Sequence, residues 1–360
     1  MTDVGDEPMA GPPRHHRWWY WPLRVLSGLL VLLLGVVVWF QVSVWPAAML
    51  IRHTVMSGGG LDGAELIAGY LPDDVAEIID VVYQEGPDGR LDVIYPDAAS
   101  EPLPTVVWVH GGGFVAGTKD TLTGYLSVIA SHGYTVVNVE YTKAPEATYP
   151  TPVEQVNAAI AFIVANAETY RVDPDQLVLA GDSAGAHIAA QTAMAIAQPD
   201  YAAAAALPTA VAPEALRGTI LCSGAFDPKL TDSGDATMEF FLRTVMWAYS
   251  GQRDFADSDA FTWATLPEHA TAEFPPSFIT AGPGDPLLSH STAMADKLEA
   301  VGVEVDALFF DADTTDSSIG HEYQFDLNTP EARQAMERIA ALLREVTQTP
   351  LPLEGVSDTW

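Results

Sequence analysis

Apolar residues fall into two regimes along this chain. From Val25 to Ile51 they run together for 27 residues without one charged side chain. As a single helix that run would span roughly 40 Å, against ~30 Å for a hydrocarbon core. After a glycine-rich hinge at Gly58-Gly59-Gly60, short β-branched runs take over at Glu77–Gln84, Leu91–Tyr95, Thr105–His110, Tyr134–Tyr141, Gln176–Ala180, Thr219–Ser223, Pro276–Ala281 and Glu304–Phe310. Helical patterns separate most of them, at Leu122–Ser131, Pro152–Thr169, Ala184–Ala197, Ser289–Val301 and Pro330–Thr347. Eight strands alternating with helices long enough for crossovers predict an α/β fold, with a mostly parallel sheet between helices. Val106-Val107-Trp108-Val109 and Leu177-Val178-Leu179-Ala180 are continuously apolar, as doubly covered central strands should be. The turn-rich Gly86-Pro87-Asp88-Gly89 marks the first pair of strands as an antiparallel hairpin.

Two stretches break the rhythm, 53–75 and 226–272. The second carries Phe240, Phe241, Trp247, Phe255 and Trp263, and both are expected to form a lid over the carboxyl edge of the sheet. The alanine-rich Ala202–Ala212 reads as an exposed connection.

Charge sharpens the N-terminal reading. Arg14, Arg17 and Arg24, with His15 and His16, precede the apolar run and only Arg52 closely follows it, so residues 1–22 are expected on the cytoplasmic side. Trp18, Trp19 and Trp21 at one end and Trp39 and Trp45 at the other resemble interfacial aromatic belts. The expected organisation is a transmembrane signal anchor over 23–51, a catalytic domain over 53–348 outside the cytoplasm, and a tail over 349–360. The competing reading is a secretory signal cleaved after export. Overall, 16 Lys+Arg face 48 Asp+Glu, and residues beyond 52 carry a net charge of −33. Such a field repels phosphate backbones and excludes nucleic acid as a partner. A lone cysteine, Cys222, excludes an intramolecular disulfide framework and a thiolate zinc site.

The chemistry gathers at strand ends. Gly181-Asp182-Ser183-Ala184-Gly185 follows an apolar strand and opens an alanine-rich helix, the setting in which a strained turn exposes a serine hydroxyl. Its glycines are needed because helix and strand backbones approach closely there. His110-Gly111-Gly112-Gly113-Phe114 follows another strand, and its backbone N–H groups, with that of Ala184, can bind the oxyanion formed when Ser183 attacks a carbonyl. A serine needs a base and the base an orienting acid. Asp285, in Gly282-Pro283-Gly284-Asp285-Pro286-Leu287, and His321, after the last strand, follow Ser183 in the order expected of a hydrolase triad; Asp227 also ends a strand and is the alternative acid. Of the other histidines, His110 braces its own loop, and His132 and His269 read as solvated surface residues.

These motifs resemble the hormone-sensitive-lipase-like branch of the α/β-hydrolase family over about residues 75–345: H-G-G-G at His110–Gly113, G-D-S-A-G at Gly181–Gly185 and D-P-L at Asp285–Leu287, with Tyr141–Glu146 and Tyr149-Pro150 similar to its segment after the fourth strand. The resemblance implies an α/β-hydrolase fold and a carboxylic-ester hydrolase of broad, short-to-medium acyl preference. Ser183 is then the nucleophile, His321 the base, Asp285 its orienter, and Gly112, Gly113 and Ala184 the oxyanion donors, with no metal or organic cofactor. Three alternatives remain: a lipid esterase or amidase using the same triad beside the membrane, a non-catalytic ligand-binding receptor on the same scaffold, and a purely structural membrane protein, which has no use for all these loop motifs together. Two positions depart from the family pattern. Ala186 stands where another glycine is frequent, and His321 is followed by Glu322-Tyr323-Gln324-Phe325 instead of Gly-Phe.

Overall fold

A computed structural model describes residues 20–54, 66–67, 69–231, 234–311 and 319–348. The basic cluster before residue 20, the Gly58–Gly60 hinge, most of the first lid segment, Ser317-Ser318 and the 349–360 tail lie outside the described residues. Those described fall into two compact units divided between Pro46 and Ala47.

The first unit is a single apolar helix, α1 (Tyr20–Val42), followed by the start of α2 (Trp45–Thr54). At 23 residues α1 spans about 35 Å, long and apolar enough to cross a membrane or to serve as a signal sequence. The unbroken helix expected through Ile51 does not form. The chain bends at Ser43 and Val44, where Pro46 enters the first turn of α2 and cannot donate its nitrogen to a continuing helix.

The second unit is an eight-stranded sheet in the order β1-β2-β4-β3-β5-β6-β7-β8. The strands are β1 (Val75–Val82), β2 (Arg90–Pro96), β3 (Leu103–Val109), β4 (Thr135–Val139), β5 (Val172–Asp182), β6 (Leu216–Cys222), β7 (Ser277–Ala281) and β8 (Val305–Phe309). β1 and β2 pair antiparallel through the Gly86–Gly89 turn, β2 joins β4 antiparallel, and β3 to β8 run parallel. The helices that connect them are α3 (Thr123–Ser131), α4 (Thr151–Ala165), α5 (Ser183–Ala197), α6 (Pro199–Ala205), α7 (Ala236–Ser250), α8 (Leu288–Ala300) and α9 (Pro330–Thr347). α3 and α9 pack on the face that carries Val106, Trp108, Val136, Val178 and Ile220, while α5 lies along β5 and β6 with α4 beside it. Val106–Val109 and Leu177–Asp182 are buried throughout, which is why they read as continuous apolar runs.

The alanine run departs from its expected form. Its first part is α6, with Tyr201 and Ala202 buried, because alanine is the strongest helix former and Pro199 starts the turn. His132 and His269 are half-buried instead of solvated.

Register places the chemistry. In the parallel half, Val109 lies beside Gly181, Asp182 beside Cys222, and Ala281 beside Phe309. The loops after β3, β5, β6, β7 and β8 therefore leave one common edge, the carboxyl edge at which open α/β sheets bind ligands.

Candidate active site

Ser183 follows β5 directly in a left-handed backbone conformation, φ +52°, and begins α5. Non-glycine residues adopt that region at a cost, and the turn is held by two close approaches. A Cβ on Gly181 would lie 2.6 Å from the Gly185 backbone, and one on Gly185 would lie 2.0 Å from the Val109 carbonyl oxygen. Helix and strand thus pack together only because both positions lack side chains.

The loops after β7 and β8 deliver two more groups to the same place. Gly284 donates its N–H to the Ile319 carbonyl at 3.0 Å, tying the Asp285 loop to the segment before His321. The His321 imidazole then donates from Nδ1 to Asp285 Oδ1 at 2.9 Å and accepts the Ser183 hydroxyl on Nε2 at 2.9 Å. The Asp285 side chain is fully buried and also accepts the Leu287 N–H at 2.7 Å. The hydrogen bonds of Asp227 go elsewhere: its N–H donates to His290 and its carboxylate accepts the Lys229 N–H.

Gly112, Gly113 and Ala184 line the same cavity as Ser183 and His321. The glycine loop is braced from behind. His110 pairs with Glu140 at 3.0 Å and stacks on Tyr141, while Glu140 also accepts from Lys143 at 2.6 Å. Burial alone would raise the Glu140 carboxyl, but His110 and Lys143 outweigh it and bring it down to about 2. Arg52 of α2, unremarkable in the sequence, adds a second brace by donating to the Val115 and Ala144 carbonyls and to both Glu146 oxygens.

The cavity, about 510 Å³, is walled by α7. Met238, Phe241, Leu242, Val245 and Met246 face it, the i, i+3, i+4, i+7, i+8 stripe of an amphipathic helix. Asp235 caps α7 by accepting the Thr237 and Met238 N–H groups. Of the aromatic residues expected in the lid, Phe241 lines the cavity whereas Phe240 stays exposed.

Burial opposes the charged form of His321, but Glu322, Asp285 and Asp182 outweigh it and raise the imidazole from 6.5 to about 9. His187, one turn into α5, is driven the other way, to about 4, chiefly by burial; it donates to the Ala225 carbonyl and is neutral at pH 7. Among the described residues no group of histidine, cysteine and carboxylate side chains is arranged to hold a metal ion.

The α/β-hydrolase fold family model matches residues 106–314, so the chain belongs to that family. It is 30% identical over 277 residues to the carboxylesterase NlhH of Mycobacterium tuberculosis, covering 72% of this chain and 80% of that protein. An esterase of Gibberella moniliformis is 26% identical over 286 residues, 76% of this chain and 85% of the other. Among solved structures, esterase B from Lactobacillus rhamnosis superposes with a TM-score of 0.66 at 21% identity, covering 79% of this chain and 92% of that one. A bacterial heroin esterase gives 0.63 at 25% identity, covering 82% and 90%.

Proposed function

We propose that this α/β-hydrolase is a serine carboxylesterase in which Ser183, His321 and Asp285 act as one unit. The observation that carries the reading is the unbroken chain of two 2.9 Å hydrogen bonds from the Ser183 hydroxyl through His321 to Asp285, beside an apolar cavity. Names of relatives support the same chemistry, since both curated proteins are called esterases.

Ser183 Oγ attacks the ester carbonyl carbon as its proton passes to His321 Nε2. The carbonyl oxygen becomes an oxyanion facing the N–H groups of Gly112, Gly113 and Ala184, donors of the kind each worth about 10²–10³ in turnover. His321 then hands its proton to the leaving alcohol oxygen as the C–O bond breaks. Water repeats the sequence on the acyl-enzyme, releasing the acid. Asp285 stays ionised throughout and holds the imidazole in the tautomer that accepts from serine.

In this reading α1 is an uncleaved anchor, and the arginines before it put the hydrolase unit on the extracytoplasmic side. The cavity wall of α7 presents hydrocarbon, and the described residues that line the cavity include the acids Asp235 and Glu322 and no Lys or Arg. Neutral esters with an apolar acyl chain are therefore the favoured substrate class, and anionic esters the disfavoured one. Hydrolysis of p-nitrophenyl esters by the protein and by Ser183→Ala tests the assignment: the variant should fold and lose turnover by several orders of magnitude, and retention of most activity contradicts it.

A further inference from the structure

Gly111 lies beneath two carboxyl groups. A side chain on it would meet Asp182 Oδ2 at 2.4 Å and Glu322 Oε1 at 2.8 Å, so both acids converge on the space that this glycine leaves open. Asp182, at the end of β5, is buried and accepts the Gly111 N–H and the Trp108 indole N–H, each at 2.8 Å. Glu322 reaches the same point from the other side. Its backbone is left-handed, φ +58°, and its N–H donates to Ser223 Oγ at 3.2 Å. Its carboxyl lines the cavity, and Oε1 stands 3.6 Å from His321 Nε2, too far for a hydrogen bond and near enough for strong charge attraction.

Two carboxylates packed this closely do not both stay ionised. Burial, and then the charge of Glu322, push Asp182 well above the usual carboxylate range. Asp182 is therefore the member of the pair that keeps its proton. Apart from His321, the described titratable groups around it are pushed toward their neutral forms. Cys222 on β6, Tyr125 on α3 and Tyr141 after β4 are all raised well above their ordinary values by burial first, and Tyr323 is raised the same way. On the far side of the imidazole stands Asp285, at Nδ1.

We propose that Glu322, held over Gly111 beside Asp182 and by its N–H on Ser223, is a positioning residue for His321: a second carboxylate, set on the Nε2 side of the ring, that stabilises the imidazolium formed as Ser183 gives up its proton. This rests on the triad reading above. Neither carboxyl exchanges a proton with substrate. The proton travels from Ser183 Oγ to His321 Nε2 and on to the alcohol oxygen, while the negative charge of the pair stays where it is. The arrangement has a cost at rest, because the same attraction keeps the free imidazole protonated to higher pH than an unpaired histidine, and an imidazolium cannot accept the serine proton. Activity is thereby placed on the alkaline side.

The test is the pH profile of kcat/KM for a neutral p-nitrophenyl ester, with the full chain, Glu322→Gln and Glu322→Ala. For the unaltered protein the acid limb should have its midpoint near 9. Both variants should move that midpoint down toward the ordinary 6.5, making them relatively more active than the parent at pH 6, and should lower the alkaline plateau about tenfold. A merely structural role would lower the plateau without moving the midpoint. A parent midpoint at 6.5, or variants whose midpoint stays with the parent's, overturns the inference. Ser183→Ala is assayed alongside: if it is inactive while the Glu322 variants leave the midpoint unmoved, the triad reading stands and this one falls.

Discussion

Gly185 and Val109 lie so close that a single methyl group added to the glycine would stand 2.0 Å from the Val109 carbonyl oxygen. That contact, between the start of α5 and the end of β3, fixes the height at which Ser183 is held over the sheet. Gly185→Ala must push backbone against backbone, with no flexible side chain to yield. The expected result is a loss of about 1–3 kcal/mol of stability by thermal or denaturant unfolding, with a larger loss of esterase activity. Ala186→Gly, which restores the residue frequent in the family, should keep activity and cost about 1 kcal/mol as a helix-interior glycine.

The proposed acid is separable from its rival. Asp285 touches His321, whereas Asp227 faces His290. Asp285→Asn should favour the wrong imidazole tautomer and lower kcat by about 10⁴, while Asp227→Asn should leave it within about threefold. Steady-state kinetics on one ester distinguishes them, and equal losses would contradict the assignment.

Acyl preference follows from the α7 stripe. Val245 is buried at the cavity wall, and Phe241 approaches Gly113. Val245→Phe should shorten the pocket and lower the octanoyl-to-acetyl ratio of kcat/KM about tenfold or more, since each misplaced methylene in an apolar pocket is worth ~1–3 kcal/mol. Phe241→Ala should shift the ratio the other way.

Acid stability has a named source. Glu140 is lowered from 4.5 to about 2, burial opposing and His110 with Lys143 prevailing. A carboxyl depressed on folding contributes stability that is complete above its unfolded value and lost as pH falls through the folded one. The contribution should fade from pH 4.5 to 2. Glu140→Gln should unfold about 1.5–3 kcal/mol more easily at pH 7 and show a flatter Tm between pH 5 and 2.5 than the parent protein.

Much of this was legible in the sequence because it depends on local pattern. All eight strands appear where apolar runs predicted them; Ser183 and Asp285 sit just past strand ends, and His321 lies farther along the segment that follows β8. The stripe at Met238, Phe241, Leu242, Val245 and Met246 follows a helical period, and of its members Phe241 stands among the aromatic residues expected in the lid. What could not be read depends on distant pairs. Nothing near Glu322 announces Asp182 as its partner, because their meeting requires a left-handed turn at Glu322 and the empty space over Gly111. Arg52 likewise looks like the residue that ends an apolar run until the loop bearing Val115 is folded beside it. The bend at Ser43 and Val44 was signalled only by Pro46, one proline in a segment whose hydropathy spoke for a single span.

Ser183 Oγ is the proposed nucleophile. Treating the protein with a fluorophosphonate ester and mapping the modified peptide by mass spectrometry tests it most directly. One phosphonyl group is expected on Ser183, appearing in step with loss of esterase activity and absent from Ser183→Ala. Full inactivation with the label on another residue, or undiminished turnover by protein fully labelled at Ser183, would contradict it.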